Sequence, residues 1–191
     1  MNTLEKIEEF AKEHYVPIAR KQTIEFLVDL FKKNDYKSFL EIGTAIGYTS
    51  INIALINPDI RILTLEYEEK RAAIARENFK DFNVENQIKM IICDARFYHP
   101  DLYYDLIFID AAKKRNKYFL EKFSRRLNKN GIIVIDNMNL DDLWIDAKQE
   151  KKEKYDLVNK EFKEYILSLK EYDVKIYDDI GDGIAVLKKI D

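Results

Sequence analysis

Asp110, Asp136 and Asn137 are three hard oxygen donors at the ends of two apolar runs, and Lys113 stands three residues beyond the first of them. The runs are Tyr103-Tyr-Asp-Leu-Ile-Phe-Ile-Asp110-Ala-Ala-Lys113 and Ile132-Ile-Val-Ile-Asp136-Asn137. Donors of this kind suit Mg²⁺, which keeps several waters and takes one or two carboxylates from a protein. A lysine beside such an ion is a candidate proton acceptor. Asp and Asn after a strand also serve as turn formers or helix caps, so neither run decides the matter alone. The case rests on what must position the two runs together.

Both runs read as buried parallel strands, four to six apolar residues that stop abruptly. In an open α/β sheet ligands collect at the carboxyl ends of such strands, so two neighbours would bring all three donors to one crevice. Upstream, Phe39-Leu-Glu41-Ile-Gly43-Thr44-Ala-Ile-Gly47-Tyr48-Thr49-Ser50 reads as strand, glycine turn and helix. Gly43 and Gly47 allow a tight turn and a close approach to a ligand. Their Gly-x-x-x-Gly spacing is not the dinucleotide fingerprint. Ile60–Glu66 gives a second strand ending in an acid, 23 residues after Gly43, where a carboxylate can accept ribose hydroxyls. A third, Ile88–Ala95, ends in Asp94, placed to receive an adenine amino group. No phosphate-binding lysine follows the glycines, so the expected ligand is a nucleoside without a pyrophosphate.

Periodicity supplies the remaining elements. Leu4, Ile7, Phe10 and Ala11, then Ile24, Leu27, Val28 and Phe31, mark two amphipathic helices ahead of the sheet. Strands are expected near 38–42, 60–66, 87–93, 104–110 and 131–136, and helices near 48–56, 69–79 and 115–128. A charged helix follows at roughly 145–170. Tyr172–Asp178 and Gly183–Lys189 then pair across Gly181-Asp182-Gly183 and close one sheet edge with an antiparallel strand. This alternation predicts a doubly wound α/β sheet, mostly parallel.

With these motifs in order, the chain resembles class I S-adenosylmethionine-dependent methyltransferases, and more narrowly the metal-dependent O-methyltransferases typified by catechol and caffeoyl-CoA O-methyltransferases. Glu41-Ile-Gly-Thr-Ala-Ile-Gly-Tyr48, Asp110-Ala-Ala-Lys113 and Asp136-Asn137 carry the likeness. Tyr15-Val-Pro-Ile18 and Ile180-Gly-Asp-Gly-Ile-Ala-Val186 resemble the bacterial branch that methylates 5-hydroxyuridine in the tRNA wobble position. The resemblance implies a seven-stranded Rossmann-like sheet and S-adenosylmethionine as cofactor. That cofactor would be held by Glu41, Gly43, Thr44, Gly47, Tyr48, Thr49, Glu66, Asp94, Ala95 and Asp110. It further implies Mg²⁺ (or Mn²⁺) on Asp110, Asp136 and Asn137, with Lys113 as the catalytic base. Homodimers are common in the family. Its acceptors are tRNA or small catechol-like molecules, both offering two adjacent oxygens.

Composition agrees with one domain over residues 1–191: 47% of the residues are hydrophobic, which excludes a disordered chain. No apolar run approaches membrane-spanning length, and the acidic, amphipathic N-terminus is unlike a secretory signal. The single cysteine, Cys93, falls in an expected buried strand and cannot form an internal disulfide, which fits a reducing cytoplasm. A net charge of −3 exerts no global pull on a polyanion, yet Lys113–Lys129 holds eight basic residues against the one acid Glu121. A solvated helix face would explain this bias, and so would a hold on an RNA backbone. Tyr98, His99 and Trp144 are candidates to stack on an unpaired base, or they fill core and rim. His14 is expected to cap the first helix. No Ser-His-Asp order, His-Glu-x-x-His or paired-cysteine spacing supports hydrolase or zinc chemistry.

Overall fold

The computed structural model describes residues 3–139 and 149–190. Seven strands form one sheet: β1 (Ser38–Ile42), β2 (Arg61–Glu66), β3 (Ile88–Ile92), β4 (Tyr104–Ile109), β5 (Leu127–Asp136), β6 (Tyr172–Tyr177) and β7 (Ile184–Lys189). Their order is β3-β2-β1-β4-β5-β7-β6. Pairing is parallel from β3 through β5, and β7 runs antiparallel to both β5 and β6. The sheet is therefore the mostly parallel one expected, with a single reversed strand.

Alternation along the central strands divides the core. Phe39, Leu106, Phe108, Ile132 and Val134 face one layer, with Ile7 and Ala11 of α1 (Leu4–Glu13), Ile24, Leu27 and Phe31 of α2 (Lys21–Asn34) and Ile51 of α3 (Tyr48–Ala54). Ala75 and Phe79 of α4 (Glu69–Asp81) join the same layer. Leu40, Ile42, Ile107, Ile109, Ile133 and Ile135 face the other, with Phe119, Leu120 and Phe123 of α5 (Asn116–Phe123) and Phe162 and Ile166 of α6 (Gln149–Ser168). Phe39 and Phe108 are wholly buried and stack at 6.5 Å. Each contributes about 1.5–3 kcal/mol through burial of its ring.

Local signals set the helix ends. Thr3 Oγ1 accepts from the Lys6 amide at the start of α1. His14 closes that helix as expected, with its Nδ1 3.0 Å from the Phe10 carbonyl and its ring stacked on Phe10. Asp35 ends α2 in the left-handed region, at φ 52°.

One element departs from expectation. The helix expected over 115–128 is broken into a 3₁₀ turn at Lys113–Arg115, α5, and a second 3₁₀ turn at Ser124–Arg126. Leu127 then pairs with Tyr104 as the first residue of β5, and the register shifts before Ile132 meets Leu106. Phe119, Phe123 and Leu127 keep the i, i+4 spacing of a helix face, so periodicity cannot show where the helix stops. The pairing of Tyr104 decides it.

Among the described residues no helix is long and apolar enough to cross a membrane. Strand order reverses at β1, which lies between β2 and β4. The crevice outside the carboxyl ends of β1 and β4 is thus the place to look for a ligand.

Candidate functional site

At that crevice the turn after β1 is pressed against the end of β4. Gly43 has φ +107°, and a Cβ there would stand 2.1 Å from the Asp110 carbonyl oxygen. Gly47 has φ +88°, and its Cβ would meet the Phe79 ring at 2.5 Å. The two glycines therefore serve close packing of the turn on Asp110 and on α4, besides the reversal of the chain. Between them Ala45, at φ 48°, turns its amide to Glu66 Oε2 at 2.7 Å. Glu66 Oε1 accepts the amides of Tyr67 and Glu68 at 3.0 and 2.8 Å. Three of the carboxylate's roughly four acceptor positions are occupied by backbone, which fixes its orientation and leaves about one for a ligand.

Behind the turn, Ser50 and Thr64 donate to Glu41 Oε2 at 2.5 and 2.6 Å, and Thr44 and Thr64 share a bond between hydroxyls. Glu41 is wholly buried and Oε1 has no partner. Burial pushes its pKa up to about 7, against the lowering effect of Ser50 and Thr64. Glu41, Thr44, Gly47 and Thr49 do not line the cavity above. Glu41, Thr44 and Thr49 are buried beneath the turn, which Glu41 and Thr44 brace through these bonds, and Gly47 ends it in the left-handed region.

The cavity has a volume of about 1040 Å³, and its wall includes Gly43, Tyr48, Glu66, Asp94, Ala95, Asp110, Lys113, Asp136 and Asn137. Tyr48 reaches it from α3 while its hydroxyl donates to Glu8 of α1. Burial raises the Tyr48 pKa, and Glu8 adds to the shift. Asp94 accepts the Arg96 amide on Oδ1 and two guanidinium N–H groups on Oδ2, with Arg115 3.8 Å away. The bonds from Arg96 hold its pKa down at about 2. Cys93, expected inside a buried strand, follows β3 and lines the cavity.

β4 and β5 are neighbours, and their ends meet. Asn137 Nδ2 donates to Asp110 Oδ1 at 2.7 Å, and the Asn137 amide to Asp136 Oδ1 at 2.7 Å. Asn137 has φ 65°, a left-handed conformation that Asn tolerates better than most residues. Burial raises the Asp110 carboxyl to about 6, with the Asn137 bond and Lys113 opposing. Asp136 is raised well above the carboxylate range by burial and then by Asp110. Lys113 is lowered by burial, against the pull of Asp182, Asp110 and Asp136. Three carboxyl groups thus act on the one amine of Lys113.

Asp182 was not among the residues expected here, since Gly-Asp-Gly reads as a hairpin turn. It lines the cavity and accepts from Arg20 Nε at 3.0 Å on both oxygens. Tyr15 to Lys21 form another stretch of wall, and Tyr67 and Arg115 further parts. A turn at a strand's carboxyl end is the one signal that could have pointed to Asp182. The basic run does not form one face. Lys113 and Arg115 are on the wall, whereas Arg126 donates to the Asp101 carbonyl ahead of β4 and Lys129 enters β5 from the sheet's opposite end. Tyr98 packs against the core and, with His99, is absent from the wall. Trp144 lies outside the described residues.

A family model described as O-methyltransferase matches residues 1–190. A catechol O-methyltransferase of Mycobacterium tuberculosis is 35% identical over 103 residues, 52% of this chain and 47% of that protein. A catechol O-methyltransferase of Niastella koreensis is 35% identical over 119 residues, 58% of this chain and 53% of that one. The chain spans about half the length of these curated relatives. Among solved structures, a Staphylococcus aureus protein described as a candidate caffeoyl-CoA O-methyltransferase gives a TM-score of 0.88 at 31% identity, covering 100% of this chain and 93% of that one. A Bacillus cereus O-methyltransferase in complex with SAH shares the fold, with a TM-score of 0.77 at 24% identity over 97% of this chain and 90% of that one.

Proposed function

The chain belongs to the O-methyltransferase family, and from that membership we propose that it moves a methyl group from S-adenosylmethionine to a hydroxyl with a second oxygen beside it. The observation that carries this reading is one cavity holding Glu66 and Asp94 at the ends of β2 and β3 and Asp110, Asp136, Asn137 and Lys113 at the ends of β4 and β5.

The residues fit a divalent cation. Burial disfavours the charged form of both carboxyl groups, and Asp110 adds to this at Asp136; a cation held by the two would offset that cost. Among the described residues no group of three or more His, Cys, Asp or Glu is gathered for a metal. The donor set is then Asp110, Asp136 and the Asn137 amide oxygen, all hard, as suits an ion that retains waters. When bound, Mg²⁺ or Mn²⁺ lowers the pKa of the acceptor hydroxyl, and S-adenosylmethionine supplies the methyl.

The chain's own residues do the rest. Glu66, locked by three backbone amides, holds the ribose, and Asp94, held by Arg96, faces the adenine. Lys113, with its charged form disfavoured by burial, takes the hydroxyl proton on Nζ. Acceleration comes chiefly from holding acceptor and donor in line at near-attack distance.

For the acceptor we assign 5-hydroxyuridine in the tRNA wobble position, which presents its 5-hydroxyl and 4-carbonyl oxygens. Arg115 on the wall, with exposed Lys114 beside it, supports this choice. A catechol-like small molecule is the second reading. It is favoured by the names of the curated relatives and by the tyrosines Tyr15 and Tyr67 on the cavity wall. Mass spectrometry of tRNA nucleosides from cells with and without this protein tests the choice. A methoxyuridine level that does not change removes the tRNA reading and leaves the catechol one.

A further inference from the structure

We propose that Asp182 is a positioning residue for the acceptor side of the cavity, holding the 15–20 segment over it through Arg20. The inference rests on the methyl-transfer reading for what the cavity holds, though the contact itself does not.

Residues 178–183 join β6 to β7, and because Ile184 pairs with Asp136 this turn stands at the carboxyl end of β5, beside the donor cluster. Three parts of the chain meet on it. Arg20 Nε donates to both oxygens of Asp182 at 3.0 Å, a contact 162 residues apart in sequence. Gly181, at φ +55°, lies so close to α2 that a Cβ would stand 2.3 Å from Thr23 Oγ1 and 3.2 Å from Arg20 Cβ. Thr23 is wholly buried at this contact. On the other side, the Asn139 amide donates to the Asp182 carbonyl at 2.7 Å and the Met138 amide to the Gly183 carbonyl at 2.8 Å. Gly183, at φ +77°, leaves no room for a Cβ, which would meet Asn139 at 2.9 Å.

The turn is thus wedged between the start of α2 and the two residues after Asn137. Both positive φ values and both close approaches require glycine, and Asp182 between them is presented to the cavity. The segment it holds also packs on the core through Val16, Ile18 and the buried Ala19, so the contact with Asp182 is its polar tie. Val16 donates to the Ala11 carbonyl, while Tyr15 is 93% exposed. Tyr15, Val16, Pro17, Ile18 and Ala19 all contribute to the cavity wall. Positioning this stretch positions the surface against which an acceptor rests.

The test uses the full chain, with amide hydrogen exchange, acceptor kinetics and calorimetry of S-adenosylmethionine binding. Arg20 is half exposed, so R20L is expected to fold, and a thermal melt checks it. In R20L the Val16 and Ile24 amides, which donate to the Ala11 and Arg20 carbonyls, exchange faster, and the acceptor KM rises roughly threefold or more, the loss of a half-exposed charge-assisted bond. The kcat and the cofactor dissociation constant stay close to wild type. D182N loosens the 15–20 segment to the same extent as R20L. R20K keeps most of the protection, because its ammonium can still pair with the Asp182 carboxylate. Wild-type exchange and acceptor KM in R20L would overturn the proposal, as would R20K proving as loose as R20L. If the wild-type protein methylates neither tRNA nor a catechol, the functional reading fails, and the exchange data still decide the contact.

Discussion

Asn137 bridges to Asp110 at 2.7 Å, joining the ends of two strands whose residues lie 27 apart in sequence. This bond converts two separate strand ends into one donor cluster. Burial raises both carboxyl groups, and Asp110 adds to the rise at Asp136, while the bonds from Asn137 act against it.

Removal of metal should therefore stop the reaction. EDTA is expected to abolish turnover and Mg²⁺ or Mn²⁺ to restore it. Asp136→Ala should be inactive while binding S-adenosylmethionine normally, because Glu66 and Asp94 are untouched. Full activity in a metal-stripped enzyme would sink the assignment.

Glu66→Ala tests the cofactor end. It removes the carboxylate's remaining acceptor position, where a charge-assisted hydrogen bond contributes roughly 1.5–3 kcal/mol. Calorimetry should show at least a roughly tenfold weaker affinity for S-adenosylmethionine. An unchanged dissociation constant would move the ribose site elsewhere.

Gly43→Ala probes the contact between the two halves of the site. Its Cβ would stand 2.1 Å from the Asp110 carbonyl oxygen at a φ of +107°. Backbone strain and overpacking together should cost about 3 kcal/mol or more. At this chain length the melting temperature should drop by roughly 6–12 °C. A melt within a degree of wild type would show that the turn can move aside.

The buried Glu41 gives a pH dependence of known sign. Its folded pKa is about 7 against an ordinary 4.5, so the folded state holds a proton that the unfolded chain has lost. Stability should fall as pH rises from 4.5 to 7, by an amount on the order of 3 kcal/mol from this group. Glu41→Gln cannot ionise and should flatten that slope, with its largest relative gain near pH 8. Denaturant titrations at pH 5 and pH 8 measure it, and parallel curves for both proteins would disprove the role of Glu41.

Charge at the mouth separates the two acceptors. Reversing Lys114, Arg115 and Lys117 to Glu should lower kcat/KM for hydroxyuridine-containing tRNA strongly and for a free catechol little. The tRNA reaction should also weaken steeply with salt, as phosphate contacts release counterions. Reversing Arg125 and Lys129, where the run approaches the far end of the sheet, should have much less effect. Undetectable tRNA methylation at low salt beside good catechol turnover would rule out the RNA reading.

The sequence by itself determined the sheet and the acids at the ends of its strands. Apolar runs of strand length that end in Glu66, Asp94, Asp110 and Asp136 carry both facts at once, because a buried parallel strand can expose polar groups only where it stops. The pleat then sends Phe39 and Leu40 to opposite layers. Tertiary structure alone decided what each glycine is for, since Gly43 answers to Asp110 and Gly47 to Phe79, neighbours that local pattern cannot reveal. It also decided where α5 stops, because Leu127 keeps helical spacing but finds Tyr104 as its strand partner. Asp182 shows the same limit. Its place in the site depends on an Arg20 far away in sequence, and a hairpin turn looks alike whether it faces solvent or a cavity.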